Sequence, residues 1–330
     1  MPSTWLVTGG QAGRVPSVGW LRDASEESLR SALAVVVPEL ADLPLRMKPR
    51  APSSNQLWWS ASAVIDECFV VKYAWSQLRA IRLWREGVLL QRLRAHDPSL
   101  SIAELVAVSA EPALVVTRLV AGAPLSWEWV SGLTRSETEQ VGQRLAGFLV
   151  RLHDIAAADL VGDLPVVHPT PQADTERLRE RFTRLVDTSR RASVLRWCEW
   201  VDDVLDGPVG LPAVVVHGDL HGYNQVWDQA SFTLLAVVDF EESGIADPHF
   251  DLRYLPGNAR TTKLVLEVSS AYERLSGRRL AIERVMAWNV LTVLGDALWR
   301  TEAGVDLPGG GNAATWVDDL AVRLHALDLG

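Results

Sequence analysis

Lysine is scarce in this chain: of 32 basic residues only Lys48, Lys72 and Lys263 are lysines, and the rest are arginine. A lysine in an unusual setting is therefore informative. Cysteine is scarcer still. Cys68 and Cys198 stand far apart and outside any paired ligand motif, which speaks against a disulfide framework or a structural zinc and reads as two buried thiols in a reduced compartment. An excess of positive charge is missing too. The formal net charge is −9 with acids spread along the chain, so binding to nucleic acid or an anionic membrane through phosphate neutralisation is not expected. No apolar run approaches the roughly 18 residues of a membrane span, and no basic segment leads into an apolar core at the N-terminus. The expectation is a cytoplasmic enzyme, monomeric or homodimeric. There is no internal repeat, and only "PGGG" at 308–311 reads as a flexible loop.

What the chain has is bulk and pattern. Its 330 residues, 48% hydrophobic, suffice for one large domain or two lobes with a proper core. Ser25-Glu26-Glu27-Ser28 followed by Leu29, Leu33 and Val37 predicts a helix over about 25–37. The runs "LWWS" and "AVIDECFVVKYAW" predict strands, "SQLRAIRLWREGVLLQRLRAH" a helix, and "ELVAVSA" and "ALVVTRLV" two more strands before a turn at 121–124. Beyond Ser126 helical periodicity dominates, near 135–153, 173–205, 260–276, 281–300 and 313–327. A strand-rich first third and a helix-rich remainder predict an α+β protein of two lobes, 1–121 and 122–330.

The densest chemistry is "VVVHGDLHGYNQVWD" at 214–228, where an apolar strand delivers His217, Asp219, His221 and Asn224 while Gly218 and Gly222 let the backbone turn. A second strand, in "LLAVVDFEESG", delivers Asp239 with Glu241 and Glu242 close behind. Asp and Asn oxygens suit magnesium, which takes its other ligands from water and substrate phosphates. That points to phosphoryl transfer, which also requires a lysine on the phosphates and an acid to position it. Lys72 lies within the apolar strand "CFVVKYAW", and Glu86 falls fourteen residues later on the next helix.

In this combination the chain resembles the aminoglycoside phosphotransferase and choline kinase-like family from about Ser53 to Leu255: "VVK", the helix with Glu86, "TRLVAG", "RLHDI", "HGDLHGYN" and "VVDFEESGIADPHFDL" follow in order. The resemblance implies the two-lobed protein kinase-like fold, with a small β-rich N-lobe and a larger, mainly helical C-lobe. It implies Asp219 as the base for the acceptor hydroxyl, Asn224 and Asp239 as magnesium ligands with Glu241 beside them, and Lys72 on the phosphates of ATP or GTP with Glu86 as its partner. His217 would brace the loop, Asp251 would support it, and His221 would shape it. Backbone groups near Arg118 and Val120, with Thr117 beside them, would meet the purine. No G-x-G-x-x-G precedes Lys72, and Ser54 and Asn55 in "PSSNQLWW" occupy the place of the phosphate-covering turn.

Three other readings are weaker. "GDLHG" also fits the first motif of calcineurin-like metallophosphatases, but Gly257-Asn258 lacks the following His of a later one. "WLVTGGQAG" looks like a dinucleotide-binding turn, yet Pro16 breaks the helix it would open. A catalytically dead kinase-like module would have lost the base, the lysine or a metal ligand, and none is lost. The acceptor is expected to be a small molecule. Seven acids against three arginines in 281–330, Asp296, Glu302, Asp306, Asp318 and Asp319 among them, suit a polycationic aminoglycoside or peptide antibiotic, or make an ordinary solvated face. Trp197, Trp200, Trp288, Trp299 and Trp316 keep choline, amino sugar and macrolide acceptors open, although tryptophans at helical spacing are more often core, and homoserine is a further alternative.

Overall fold

A computed structural model of the chain describes residues 17–48, 59–258, 261–308 and 310–329. Two compact units are present. Unit 1 comprises the residues up to Gly122, Ile155–Val167 and Leu235–Ser243, and unit 2 comprises Ala123–Asp154, His168–Leu234 and Gly244 onward. In chain order, unit 1 supplies α1 (Glu26–Val36), β1 (Leu45–Met47), β2 (Ser60–Ile65), β3 (Phe69–Ala74), α2 (Gln77–His96), β4 (Leu105–Ala110) and β5 (Ala113–Arg118). Unit 2 begins with β6 (Ala123–Pro124), α3 (Trp127–Ser131) and α4 (Arg135–His153), and α5 (Ala157–Val161) belongs to unit 1 again. There follow α6 (Thr175–Glu180), α7 (Thr188–Asp206), β7 (Val214–Val216), β8 (Gln225–Asp228) and β9 (Thr233–Val237), the last running out into unit 1. Then come β10 (Gly244–Ala246), α8 (Leu255–Asn258), α9 (Lys263–Ser276), α10 (Ile282–Ala303) and α11 (Ala313–His325).

In unit 1 the sheet order is β1-β2-β3-β5-β4, with antiparallel pairing throughout. The run containing "AVIDECFVVKYAW" is not one strand but a hairpin. Asp66 and Glu67 both adopt positive φ, 50° and 47°, as a tight turn between twisted strands requires, so Val64 faces Val70 in register. Leu29 and Leu33 of α1 pack on Ile65, Val71 and Val116 of the sheet. Ser25 caps α1 by accepting from the Ser28 amide, as the sequence predicts. On α2, a Cβ at Gly87 would lie 2.3 Å from Val108 Cγ2. That glycine lets the helix lie close on β4 and fixes the height of Glu86 next to it.

Unit 2 buries a helical core in which Trp197 and Cys198 of α7 meet Leu294 and Leu298 of α10 and Leu320 and Leu324 of α11. Trp200, Trp288 and Trp316 pack against that core, so these indoles serve packing. The predicted helix over 173–205 is interrupted. Asp174 caps α6, and Asp187 accepts from the Ser189 and Arg190 amides to start α7 anew, a local bond that competes with continuing the helix. Of the two cysteines Cys198 is buried, which pushes its thiol up to about 11, whereas Cys68 is exposed beside the β2–β3 turn, against expectation. Ser54, Asn55 and the "WLVTGGQAG" segment lie outside the described residues. Among the described residues no helix is long and apolar enough to cross a membrane.

Candidate active site

Unit 1 gathers one charged cluster. Lys72, the fourth residue of β3, reaches Glu86 on α2 with both carboxylate oxygens at 2.7 and 2.9 Å, and Asp239 Oδ1 just beyond β9 at 2.9 Å. Glu86 is almost wholly buried, and it also accepts from the Phe240 amide at 3.0 Å. Glu241 lies 4.0 Å from Lys72 and pairs with Arg79, while Glu242 pairs with Arg82, so α2 lines up a row of cations along the 239–242 acids. Burial works against the Lys72 ammonium, but Asp239, Glu86 and Glu241 outweigh it and hold it above the ordinary lysine range. Burial and the Asp239 charge push the Glu241 carboxyl up to about 7 despite Lys72 and Arg79. Asp239 itself sits at φ 70°, ψ 64°, a left-handed conformation that aspartate tolerates better than bulkier residues and that turns the chain sharply off the strand. Oxygen atoms of Glu86, Asp239 and Glu241 all lie within 4.8 Å of one another, a hard, all-carboxylate set of the kind magnesium accepts.

Unit 2 builds the loop after β7. Asp251 is fully buried in a short 3-10 turn, Pro248–Leu252, and accepts from the amides of His217 at 2.8 Å and Gly218 at 2.9 Å, with His153 Nε2 at 3.3 Å. Burial alone would raise its carboxyl, but the bonds and charges of His153, His217 and Gly218 prevail and hold it below the usual carboxylate range. Gly218 takes φ 84°, which lets the chain swing round that anchor. His217 is buried, and its Nδ1 accepts from the Asp219 amide at 3.1 Å, which fixes that nitrogen as the unprotonated one. His221 Nδ1 accepts from Tyr223 N at 3.1 Å and starts the turn that carries Asn224. Asn224 donates from Nδ2 to the Asp219 carbonyl at 2.8 Å, leaving its amide oxygen as the acceptor end. Asp219 is partly exposed, with His221 Nε2 3.6 Å from its Oδ2.

The geometry thus brings Lys72, Glu86, Asp239 and Glu241 together in unit 1, and His217, Asp219, His221, Asn224 and Asp251 together in unit 2. Thr117 and Arg118 close β5, and the Arg118 amide is already committed to the Glu104 carbonyl at 2.9 Å, while its side chain pairs with Glu104. A family model described as the phosphotransferase enzyme family matches residues 51–288. The chain belongs to that family.

This phosphotransferase also shares its fold with solved structures at low identity. The GDP complex of wild-type aminoglycoside 2'-phosphotransferase-IIIa is 15% identical with a TM-score of 0.67, covering 90% of this chain and 99% of that one. A choline/ethanolamine kinase family protein from Mesorhizobium loti is 19% identical with a TM-score of 0.60, over 91% and 94%. Macrolide 2'-phosphotransferase type I is 18% identical with a TM-score of 0.55, over 86% and 94%. No curated protein matches the chain significantly. The fold is therefore α+β, two-lobed and protein kinase-like, and the enzyme is a phosphotransferase.

Sequence reasoning missed several participants. Tyr254 donates to Asp219 Oδ1 at 2.7 Å, and buried Arg253 lies 3.8 Å from the same oxygen. His153, the end of the predicted "RLHDI" helix, is what meets Asp251, with Tyr272 Oη 3.1 Å from its Nδ1. Nothing in the local pattern marks Arg253 or Tyr254, because "FDLRYL" reads as ordinary helix. The acids of 281–330 find partners partly within the protein: Glu302 pairs with Arg177 and Arg181, Asp318 with Arg190, and Asp296 with Arg300. Arginines of 176–196 thus pair with two of the five acids named as suiting a polycation, Glu302 and Asp318, and Arg300 pairs with a third, Asp296.

Proposed function

We propose that the phosphotransferase moves the γ-phosphoryl group of ATP or GTP to a hydroxyl of a small molecule, an aminoglycoside-type antibiotic being the leading acceptor class. The observation that carries the reading is the Lys72–Glu86–Asp239 ion-pair set, which assembles from three distant segments the lysine, its positioning acid and a metal-type carboxylate that this chemistry needs. Lys72 grips the donor's phosphates, and Glu86 holds the ammonium in place. Asp219 takes the proton of the acceptor hydroxyl. The acceptor oxygen bonds to the γ-phosphorus, the bond from phosphorus to the bridging oxygen breaks, and its electron pair leaves on the nucleoside diphosphate. Asp239 and Glu241 offer carboxylate oxygens suited to magnesium, which when bound would offset the phosphate charge, and the amide oxygen of Asn224 is a donor of the same kind. The Arg118 amide donates to the Glu104 carbonyl, so the purine edge would meet the Arg118 carbonyl and the backbone at Val120, with Thr117 beside them. His217 and Asp251 act by holding the Asp219 loop, and His221 by shaping it.

The acceptor class is supported by the names of the structural relatives, which include complexes with kanamycin, streptomycin and gentamicin. The internal pairing of Glu302, Asp318 and Asp296 weakens the charge argument for a polycation. A macrolide, choline, amino sugar, homoserine or peptide-antibiotic acceptor is accordingly the second reading. The test incubates the protein with Mg-ATP or Mg-GTP and a panel of these compounds, reading products by mass spectrometry beside Asp219→Asn. A phosphate gained on one compound, with turnover reduced about 10²–10⁴-fold in the variant, is the expected result. Undiminished turnover by Asp219→Asn would sink the mechanism.

A further inference from the structure

Asp219 carries two carboxylate oxygens in unlike surroundings, and the difference traces to two neighbours that the mechanism above does not use. The geometry points to Tyr254 as a positioning residue for Asp219, itself oriented by Arg253, so that Oδ1 is tied and Oδ2 is the oxygen reserved for the acceptor's proton. The inference rests on the reading of Asp219 as the base.

The number of protons on each group fixes the direction of these bonds. Tyr254 Oη lies 2.7 Å from Asp219 Oδ1 and 3.2 Å from an Arg253 guanidinium nitrogen. A guanidinium only donates, and a phenol has a single proton. Arg253 therefore donates to the phenol oxygen, and the phenol's own proton is left to point at Oδ1. Burial holds the phenol above its ordinary range, and the Asp219 charge adds to this while Arg253 opposes it, so the proton stays on tyrosine. On the other side, Oδ2 has His221 Nε2 at 3.6 Å and Asn224 Nδ2 at 3.4 Å, both long contacts that leave it lone-pair capacity.

Arg253 is built to hold that direction. Its guanidinium also donates to the Gly218 carbonyl at 2.7 Å and the Phe250 carbonyl at 3.0 Å, and it stacks 3.7 Å from the Phe250 ring centroid and 4.3 Å from that of Tyr254. Its own carbonyl accepts from Asn289 Nδ2 at 2.7 Å, and Asn289 Oδ1 accepts from Arg323 at 3.2 Å. A chain of directed hydrogen bonds thus runs from α11 through α10 to the base. In the reaction the acceptor's O–H bond breaks toward Oδ2 while Oδ1 keeps the tyrosine bond, and a base held in one rotamer loses less orientation entropy at the transition state.

Two measurements test this. Turnover is followed as nucleoside diphosphate release from Mg-ATP and Mg-GTP, with kanamycin and then the rest of the panel as acceptor probes. Tyr254→Phe should lower kcat about tenfold while both KM values stay within about twofold. Its loss combined with that of Arg253→Lys should be less than multiplicative. Unchanged kcat, or losses that multiply in full, would overturn the inference. Independently of any acceptor, carbon-13 at tyrosine Cζ gives a resonance that Tyr254→Phe assigns. It should move in Asp219→Asn and in Arg253→Lys, and a resonance indifferent to both would refute the relay. If Asp219→Asn turns over like the wild type, the proposed function has failed; if it is inactive and Tyr254→Phe is not impaired, only this inference has.

Discussion

Replacing Asp251 by asparagine changes one oxygen of a fully buried carboxylate into an amide and leaves the size almost unchanged. One Asp251 oxygen serves the His217 amide and His153, and the other serves the Gly218 amide. Asparagine keeps one acceptor. If it faces His217 and His153, its NH2 confronts the Gly218 N–H, so one charge-assisted bond worth about 1.5–3 kcal/mol disappears and a buried donor is orphaned. Loss of the charge weakens the remaining two bonds by about half. Together the lost bond and the two weakened ones come to about 3–6 kcal/mol. At a urea slope of about 2–3 kcal/mol per molar, the unfolding midpoint followed by circular dichroism should fall by about 1–3 M. Turnover should fall with it, because Asp219 follows directly on the two amides. A midpoint within about 0.3 M of wild type, with kcat intact, would show that this carboxylate does not hold the loop.

Lys72→Met removes the only cation bonded to Glu86 among the described partners and should weaken nucleotide binding at least tenfold by titration calorimetry. It also leaves buried acids unneutralised, and Glu241 already sits up at about 7. These groups then hold protons in the folded state that the unfolded chain releases, so stability of the variant should fall as pH rises from 6 to 9, and a flat profile in denaturant titrations would contradict this. The wild type behaves oppositely in acid. Asp247, bonded to His249, Arg284 and Trp288, and Asp251 both have carboxyls held below the ordinary range. Their contribution is complete above the unfolded value near 3.9 and is lost as pH falls below it, so thermal unfolding should show a steep drop in midpoint between about pH 4 and 2.

Much of the candidate site was legible in the chain because local spacing carries it. Asp219 and Asn224 are five residues apart on one loop, Asp239 follows its own apolar strand, and a lysine inside "CFVVKYAW" is conspicuous where lysines number three of 32 basic residues. Helix starts were legible for the same reason, since Ser25 and Ser76 each cap from within three residues. The hairpin at Asp66–Glu67 and the break before α7 were not, because each depends on one turn or capping bond that periodicity averages away.

What the sequence determined by itself is therefore the resemblance to the family, the phosphotransferase class it implies and the candidate residues that short-range pattern can mark. The tertiary structure alone decided which groups complete them. It set Arg253 and Tyr254 on Asp219 across more than thirty residues of chain, His153 on Asp251 across almost a hundred, and the 176–196 arginines on the C-terminal acids. Contacts of that reach depend on how whole helices pack, and no local spacing in a single chain records the packing of elements far apart in sequence.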